Sequence, residues 1–358
     1  MNLPKLCVIS CACLALLGGD VAAATAPEKA AAAAGAGVLA PRQHDFMQWR
    51  FGLFLHFNMS TFSGSEWANG YENPDNFAPA KLDCGQWADA AKSAGMTYAV
   101  LTVKHTGGWC LWPSAYTTHG VQSLRNFRDG KGDLVREFAD AFHARGLKVG
   151  FYYCFPGDYV GRYGNTLPAG QPDLHGLPPE AGEDLGGFIK KQLGELLAKY
   201  HPDLLWIDQY SNKYTLRQWP EIKALVHQAA PQCVLVANNA HDLEESDALS
   251  YEWPWDPQKR AGNIHGLPGY VGTLPPEGNA LPAELCDTIQ TRSRWFWHPD
   301  LGPADLQDAS GMAEIYRQCR ERNANYLLNV PPDRDGLIPA AYVERMRELG
   351  ELINRRAP

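Results

Sequence analysis

The chain has 358 residues, 45% hydrophobic and 20% charged, with 11 Trp, 15 Tyr and 13 Phe. This is a globular composition, long enough for one large domain or two ordinary ones. A net charge of −8 supplies no basic field for nucleic acid or an anionic membrane surface, so a neutral or cationic ligand is easier to accommodate.

The chain begins MNLPKLCVISCACLALLGGDVAAATA. One lysine, an apolar stretch from Leu6 to Leu17 and small residues at Ala22 and Ala24 fit a secretory signal peptide over residues 1–24, implying an exported, periplasmic or secreted protein; the stretch is too short to span a bilayer. A lipoprotein-type cut before Cys11 or Cys13 is the lesser alternative. An Ala-rich lead-in follows to residue 40, and from residue 41 to 358 the chain reads as one domain. Cys84, Cys110, Cys154, Cys233, Cys286 and Cys319 remain after the leader. Export permits disulfides, but the sequence does not choose among the pairings. Segments such as WCLW, FYYCF and QCVLV suit cysteines acting as small buried hydrophobes. No CxxC pair or HExxH helix occurs, so neither a structural zinc site nor a zincin is expected, and no metal or other cofactor is assigned.

Short β-rich apolar runs alternate with amphipathic stretches. The strand candidates are RFGLFLHF (50–57), YAVLTVKH (98–105), KVGFYYC (148–154), DLLWIDQ (203–209), CVLVANN (233–239), ALSYEW (248–253), ELCDTI (284–289) and ANYLLNV (324–330). Between them, DCGQWADAAKSAG, GDLVREFADAFHARG, EDLGGFIKKQLGELLAKY, TLRQWPEIKALVHQAA and GMAEIYRQCRERN have helical spacing. Asp83 and Asp133 are placed as N-caps, and Gly95 and Gly146 as stops. Nearly continuous apolar strands, each followed by a helix, imply a parallel sheet buried on both faces. Eight of them predict an α/β fold of the (β/α)8 TIM-barrel type, with an open doubly wound sheet as runner-up. About ten residues separate the fifth and sixth runs, too few for a crossover helix, so the second half should be irregular.

A barrel of this type carries its site at the C-terminal ends of its strands. Those ends hold His56, His105, Tyr153, Asp208, Asn238, Asn239, Glu252 and Asn329, whereas Glu284 begins its run. Many aromatics lie near the same positions, among them Trp67, Trp206, Trp253, Trp255, Trp295 and Trp297. Aromatic faces with a few fixed polar groups suit a sugar, and two carboxylates flanking one bond are the machinery of glycoside hydrolysis. Asp208, ending an apolar strand, is the candidate anion and nucleophile. Glu252, between Tyr251 and Trp253, and Glu284, in LPAELCDTI, are the two candidates for the protonated partner. GxSxG and Walker-type loops are absent, which disfavours a serine hydrolase of that class or a P-loop enzyme.

Taken together, RFGLFLHF, SEW at 65–67, LTVKHTGGWCLWPS at 101–114, GDLVREFADAFHARGLKVGFYYC at 132–154, YHPDLLWIDQ at 200–209, LPAELCDTIQ with RWFWH, and NANYLLNVPPDRDGLIP at 323–339 resemble the α-L-fucosidases of glycoside hydrolase family 29. The resemblance spans about residues 47–355. It implies a retaining exo-hydrolase that removes terminal α-L-fucose from fucosylated glycans through a fucosyl-aspartate, without a metal. Carried over by motif, the nucleophile is Asp208 and the sugar-binding residues are His56, Glu66, Trp67, His105, Tyr153 and Trp206, with an aromatic wall from Trp295 or Trp297. The acid/base lies on a variable loop after the nucleophile, which puts Glu252 first and leaves Glu284 as the alternative or a substrate contact. Three departures stand out: KHTGGW where the family has KHHDGF, ANNAHD where it has an arginine, and an end at Pro358 without the family's C-terminal β-sandwich. LPAELCDTIQ and RWFWH lean toward the branch acting on α-1,3/1,4-linked fucose. The alternatives are a non-catalytic carbohydrate-binding protein on the same scaffold, and a glycosidase for a related L-sugar such as L-galactose.

Overall fold

The structure is a computed structural model and describes residues 38–155, 185–210, 216–238, 240, 242–252, 254, 274–291 and 294–355. The expected signal peptide, most of the Ala-rich lead-in, Asn239, Trp253 and Trp255 lie outside the described residues. Eight strands form: β1 Phe51–Leu55, β2 Tyr98–Lys104, β3 Lys148–Cys154, β4 Leu204–Asp208, β5 Val234–Ala237, β6 Leu249–Glu252, β7 Ala283–Thr288 and β8 Ala324–Asn329. They are parallel and run β5-β4-β3-β2-β1-β8-β7-β6, a nearly closed barrel. Each lies within two residues of its expected run.

The helices are α1 Pro41–Phe46, α2 Met59–Ser63, α3 Cys84–Ser93, α4 Leu134–His143, α5 Leu185–Tyr200, α6 Trp219–Ala229, α7 Ala309–Glu321 and α8 Ala340–Arg355. As the sequence implied, the Asp83 and Asp133 side chains accept from the backbone N–H of Gln86 and Arg136, satisfying donors that a helix start leaves open. Gly95 and Gly146 follow the same helices at φ +80° and +69°, a backbone state glycine enters without steric cost. The six cysteines among the described residues are all buried. No described helix is long and apolar enough to cross a membrane.

The pleat sorts the strand residues. Phe54, Tyr98, Val100, Tyr152, Cys154, Leu204, Trp206, Val234, Val236, Cys286 and Leu327 fill the barrel interior. Their neighbours Leu53, Leu55, Ala99, Leu101, Val149, Phe151, Tyr153, Leu205 and Ile207 pack with the surrounding helices, because successive side chains leave opposite faces. α1 closes the N-terminal end, where Phe46 and Trp49 pack against Tyr98 at ring distances of 6.4 and 5.3 Å.

The irregularity expected in the second half falls between β5 and β6. Here no ladder forms among the described residues, where one isolated parallel bridge joins Val236 to Ala248. A buried carboxylate spans the seam. Asp247 Oδ2 accepts from Leu235 N at 2.8 Å, while the Asp247 N–H donates to Leu235 O at 2.8 Å. Its oxygens also receive Arg42 at 2.8 and 2.9 Å and contact His227 at 2.9 Å. Burial pushes this carboxyl up, yet the bonds from His227 and Arg42 outweigh it and hold the pKa at about 2. A depressed folded-state pKa contributes stability above the unfolded value and forfeits it as pH falls. Asp247→Ala should therefore lower unfolding free energy by about 3–5 kcal/mol at pH 7 in denaturant titrations, and the difference from the parent should shrink as pH drops from about 4 to 2.

Candidate active site

At the C-terminal rim, Phe54, His56, Trp67, His105, Tyr152, Trp206, Asp208, Glu252 and Trp295 line one open cleft. Asp208 is the last residue of β4 and half-buried. Its Oδ2 accepts from the Tyr152 hydroxyl at 2.7 Å, and its Oδ1 from Asn238 Nδ2 at 3.1 Å and Gln209 N at 2.9 Å. Gln209 stands at φ +60°, a left-handed turn that aims its N–H back at the carboxylate. Glu252, ending β6 and buried, accepts from the same Asn238 Nδ2 at 3.3 Å.

The rings form a layered wall. Trp206 stacks on Tyr152 (5.4 Å, 19°), Tyr152 on His105 (5.4 Å, 23°), and His56 on Trp295 (5.0 Å, 22°). Phe296 meets both histidines edge-on. Asn329 Nδ2 donates to Trp295 O at 2.8 Å, so its Oδ1 faces His56 Nδ1, also at 2.8 Å. That acceptor fixes the proton on Nδ1 and leaves Nε2 as an acceptor. Burial, then the nearby His105, push the His56 pKa well below the usual histidine value, against the opposing bond to Asn329. Burial alone takes His105 to about 3. Both rings are therefore neutral near pH 7 and can exchange hydrogen bonds with hydroxyls without bringing charge.

A register shift in β2 places His105. Thr102 pairs with Tyr152 but Lys104 with Tyr153, skipping one residue. The shift turns Lys104 outward to Tyr153 and Gln192, both at 3.0 Å, and brings His105 into the cleft. Bulge-like shifts commonly re-aim side chains beside active sites.

The Alpha-L-fucosidase family profile matches residues 22–357. The chain belongs to the alpha-L-fucosidase family. Alpha-L-fucosidase 1 of Arabidopsis thaliana is 32% identical over 332 residues, covering 86% of this chain and 59% of that protein. Putative alpha-L-fucosidase 1 of Oryza sativa subsp. japonica is 33% identical, covering 86% and 57%. The chain thus spans a little under three fifths of the length of these relatives. Among solved structures, a putative alpha-L-fucosidase from Bacteroides thetaiotaomicron superposes with TM-score 0.68 at 28% identity, covering 88% of this chain and 68% of that one. Alpha-L-fucosidase isoenzyme 1 from Paenibacillus thiaminolyticus gives 0.64 at 27%, covering 88% and 76%.

Within this alpha-L-fucosidase fold, four expected residues lie elsewhere than in the cleft lining. Tyr153 points outward and donates to Gln192 Oε1 at 2.6 Å; its neighbour Tyr152 takes the cleft position because it pairs with Trp206 in register. Trp297 packs under the Arg334 guanidinium, 6.0 Å from the ring centre, so the wall is Trp295. Glu66 backs that wall, accepting from Trp295 N at 2.9 Å and Phe296 N at 3.4 Å. Burial pushes Glu66 up to about 7 despite those bonds. Glu284 is fully buried inside the barrel, and its two oxygens accept Tyr98 O–H at 2.6 Å and Trp206 Nε1 at 2.9 Å. There it holds Trp206 from inside the barrel. Phe54 and Tyr152 were not assigned to the site from sequence, and Asn238 was named there only as a polar residue at a strand end. The pleat would have found the first two, since Phe54 shares parity with His56 and Tyr152 shares a face with Cys154, the register partner of Asp208.

Burial raises the Glu284 pKa to about 7 against the bonds from Tyr98 and Trp206. The folded state then binds more protons than the unfolded one between about pH 4.5 and 7, so this group contributes stability below that window and loses it as pH rises. Glu284→Gln should flatten that part of the stability–pH curve, removing a fall of roughly 3 kcal/mol, measured by urea unfolding at pH 5 and pH 7.5.

Proposed function

We propose that this chain is an exported, retaining exo-α-L-fucosidase acting on terminal α-L-fucose of glycans, with a preference for α-1,3/1,4 linkages. The observation that carries the reading is Asp208, held by three donors at the end of β4 and sharing one of them with Glu252 in the same aromatic cleft. The export reading is supported by the leader-like residues 1–24, and the linkage reading by the segments LPAELCDTIQ and RWFWH.

In this reading Asp208 Oδ2, which accepts a single hydrogen bond, attacks C1 of the fucosyl unit as the bond from C1 to the leaving oxygen breaks. Glu252 gives that oxygen its proton. The carboxylate that results then takes a proton from water, whose oxygen attacks C1 and releases Asp208. A donor 3.1 Å from one carboxylate and 3.3 Å from the other holds those two oxygens closer together than the roughly 6.5–9.5 Å separation of inverting pairs, and admits the roughly 5–5.5 Å of retaining ones. Trp206 and Trp295 offer faces to the sugar's C–H surfaces, and His56 Nε2 accepts from a hydroxyl.

Asp208→Ala should lower kcat on an aryl α-L-fucoside by about 10⁴-fold or more while calorimetry still detects fucose binding. NMR of the parent reaction should show the α anomer of fucose first. Wild-type turnover by Asp208→Ala, or the β anomer first, would sink the reading; release of L-galactose but not L-fucose would transfer it to the related sugar.

A further inference from the structure

Asp208 and Glu252 stand on β4 and β6, and the strand between them is β5. β4 and β5 are joined by a ladder, but among the described residues β5 and β6 meet through one isolated bridge. Backbone pairing therefore does not by itself set the distance between the two carboxylates. A side chain does. Asn238 follows β5 directly and is 9% exposed. Its backbone N–H donates to Ile207 O at 2.8 Å, anchoring it to β4. From β6, the Ser250 hydroxyl donates to its Oδ1 at 3.1 Å. With the carbonyl side of the amide so occupied, the NH2 group faces the cleft, where it reaches Asp208 Oδ1 at 3.1 Å and Glu252 Oε1 at 3.3 Å. Two hydrogens meet two acceptors.

We propose that Asn238 is the positioning residue that sets the spacing of the two catalytic carboxylates across the barrel seam, with Ser250 holding its amide in register. The inference rests on the assignment of Asp208 and Glu252 above. An amide suits the task because it is neutral. A cation in its place would favour ionisation of both carboxylates, whereas the acid/base must carry a proton in one step and lose it in the next. An amide N–H donates to an oxygen of the carboxylate and to the carbonyl oxygen of the acid alike, so Glu252 stays anchored throughout the cycle.

The test compares the full chain with Asn238→Ala, Ser250→Ala and the double variant, measuring kcat on an aryl α-L-fucoside, fucose affinity by calorimetry and the melting temperature. Loss of the bridge should lower kcat in Asn238→Ala by about 100-fold while fucose affinity stays within about threefold. Ser250→Ala, which loses one neutral hydrogen bond, should cost about fivefold. The double variant should match Asn238→Ala, because Ser250 acts through the amide. The role is overturned if Asn238→Ala keeps kcat within about threefold of the parent, if kcat and fucose affinity fall in equal proportion, or if the two single effects multiply in the double variant. Those outcomes leave the fucosidase reading standing. A parent chain that binds fucose but turns over no fucoside overturns both.

Discussion

The hydrogen bond from Trp206 Nε1 to Glu284 Oε1 ties β4 to β7 through the barrel interior, and the site is built above it. The other oxygen of Glu284 takes the Tyr98 hydroxyl, so one buried carboxylate joins β2, β4 and β7. A carboxylate in this environment is costly unless its oxygens are satisfied, and here both are. With Trp206 fixed inward, the pleat leaves no choice for residue 208: two positions along the strand, its side chain must emerge on the same face, at the rim.

The same parity explains the composition of the wall. Tyr152 is the register partner of Trp206 and stacks on it, and its hydroxyl then reaches Asp208. One ring thus links the packing of the interior to the electrostatics of the rim. The β2 register shift adds the single exception to the parity, and it puts a neutral histidine where Lys104 would otherwise have faced inward. A lysine there would have carried positive charge beside the proposed nucleophile. Instead its ammonium lies outside the barrel with Tyr153 and Gln192.

The second half of the barrel has a looser closure, and its consequences are local. Asp247 fastens the lower part of the β5–β6 seam with Arg42 and His227, and Asn238 bridges its upper part between the two carboxylates. Side chains supply there what ladder hydrogen bonds supply elsewhere.

Much of this was legible in the sequence for a clear reason. Strand positions follow from apolar runs, helix starts from Asp83 and Asp133, and the sites of Asp208 and Glu252 from the ends of such runs, all of which are local signals. Direction around the barrel is not local. Tyr152 and Tyr153 are chemically alike and adjacent, and only pairing with β4 decides which faces the cleft. Glu252 and Glu284 both sit in apolar strands, yet their depth along the barrel axis separates a rim carboxylate from an interior clamp. Trp295 and Trp297 differ only in which side of one loop they take. His105 depends on a one-residue shift that has no signature in LTVKHT. Element positions, the family and the residue types at the strand ends can be read along the chain, because burial patterns and motifs are local. The tertiary structure alone decided which side chains meet, because pleat, register and depth are properties of neighbouring strands rather than of any one of them.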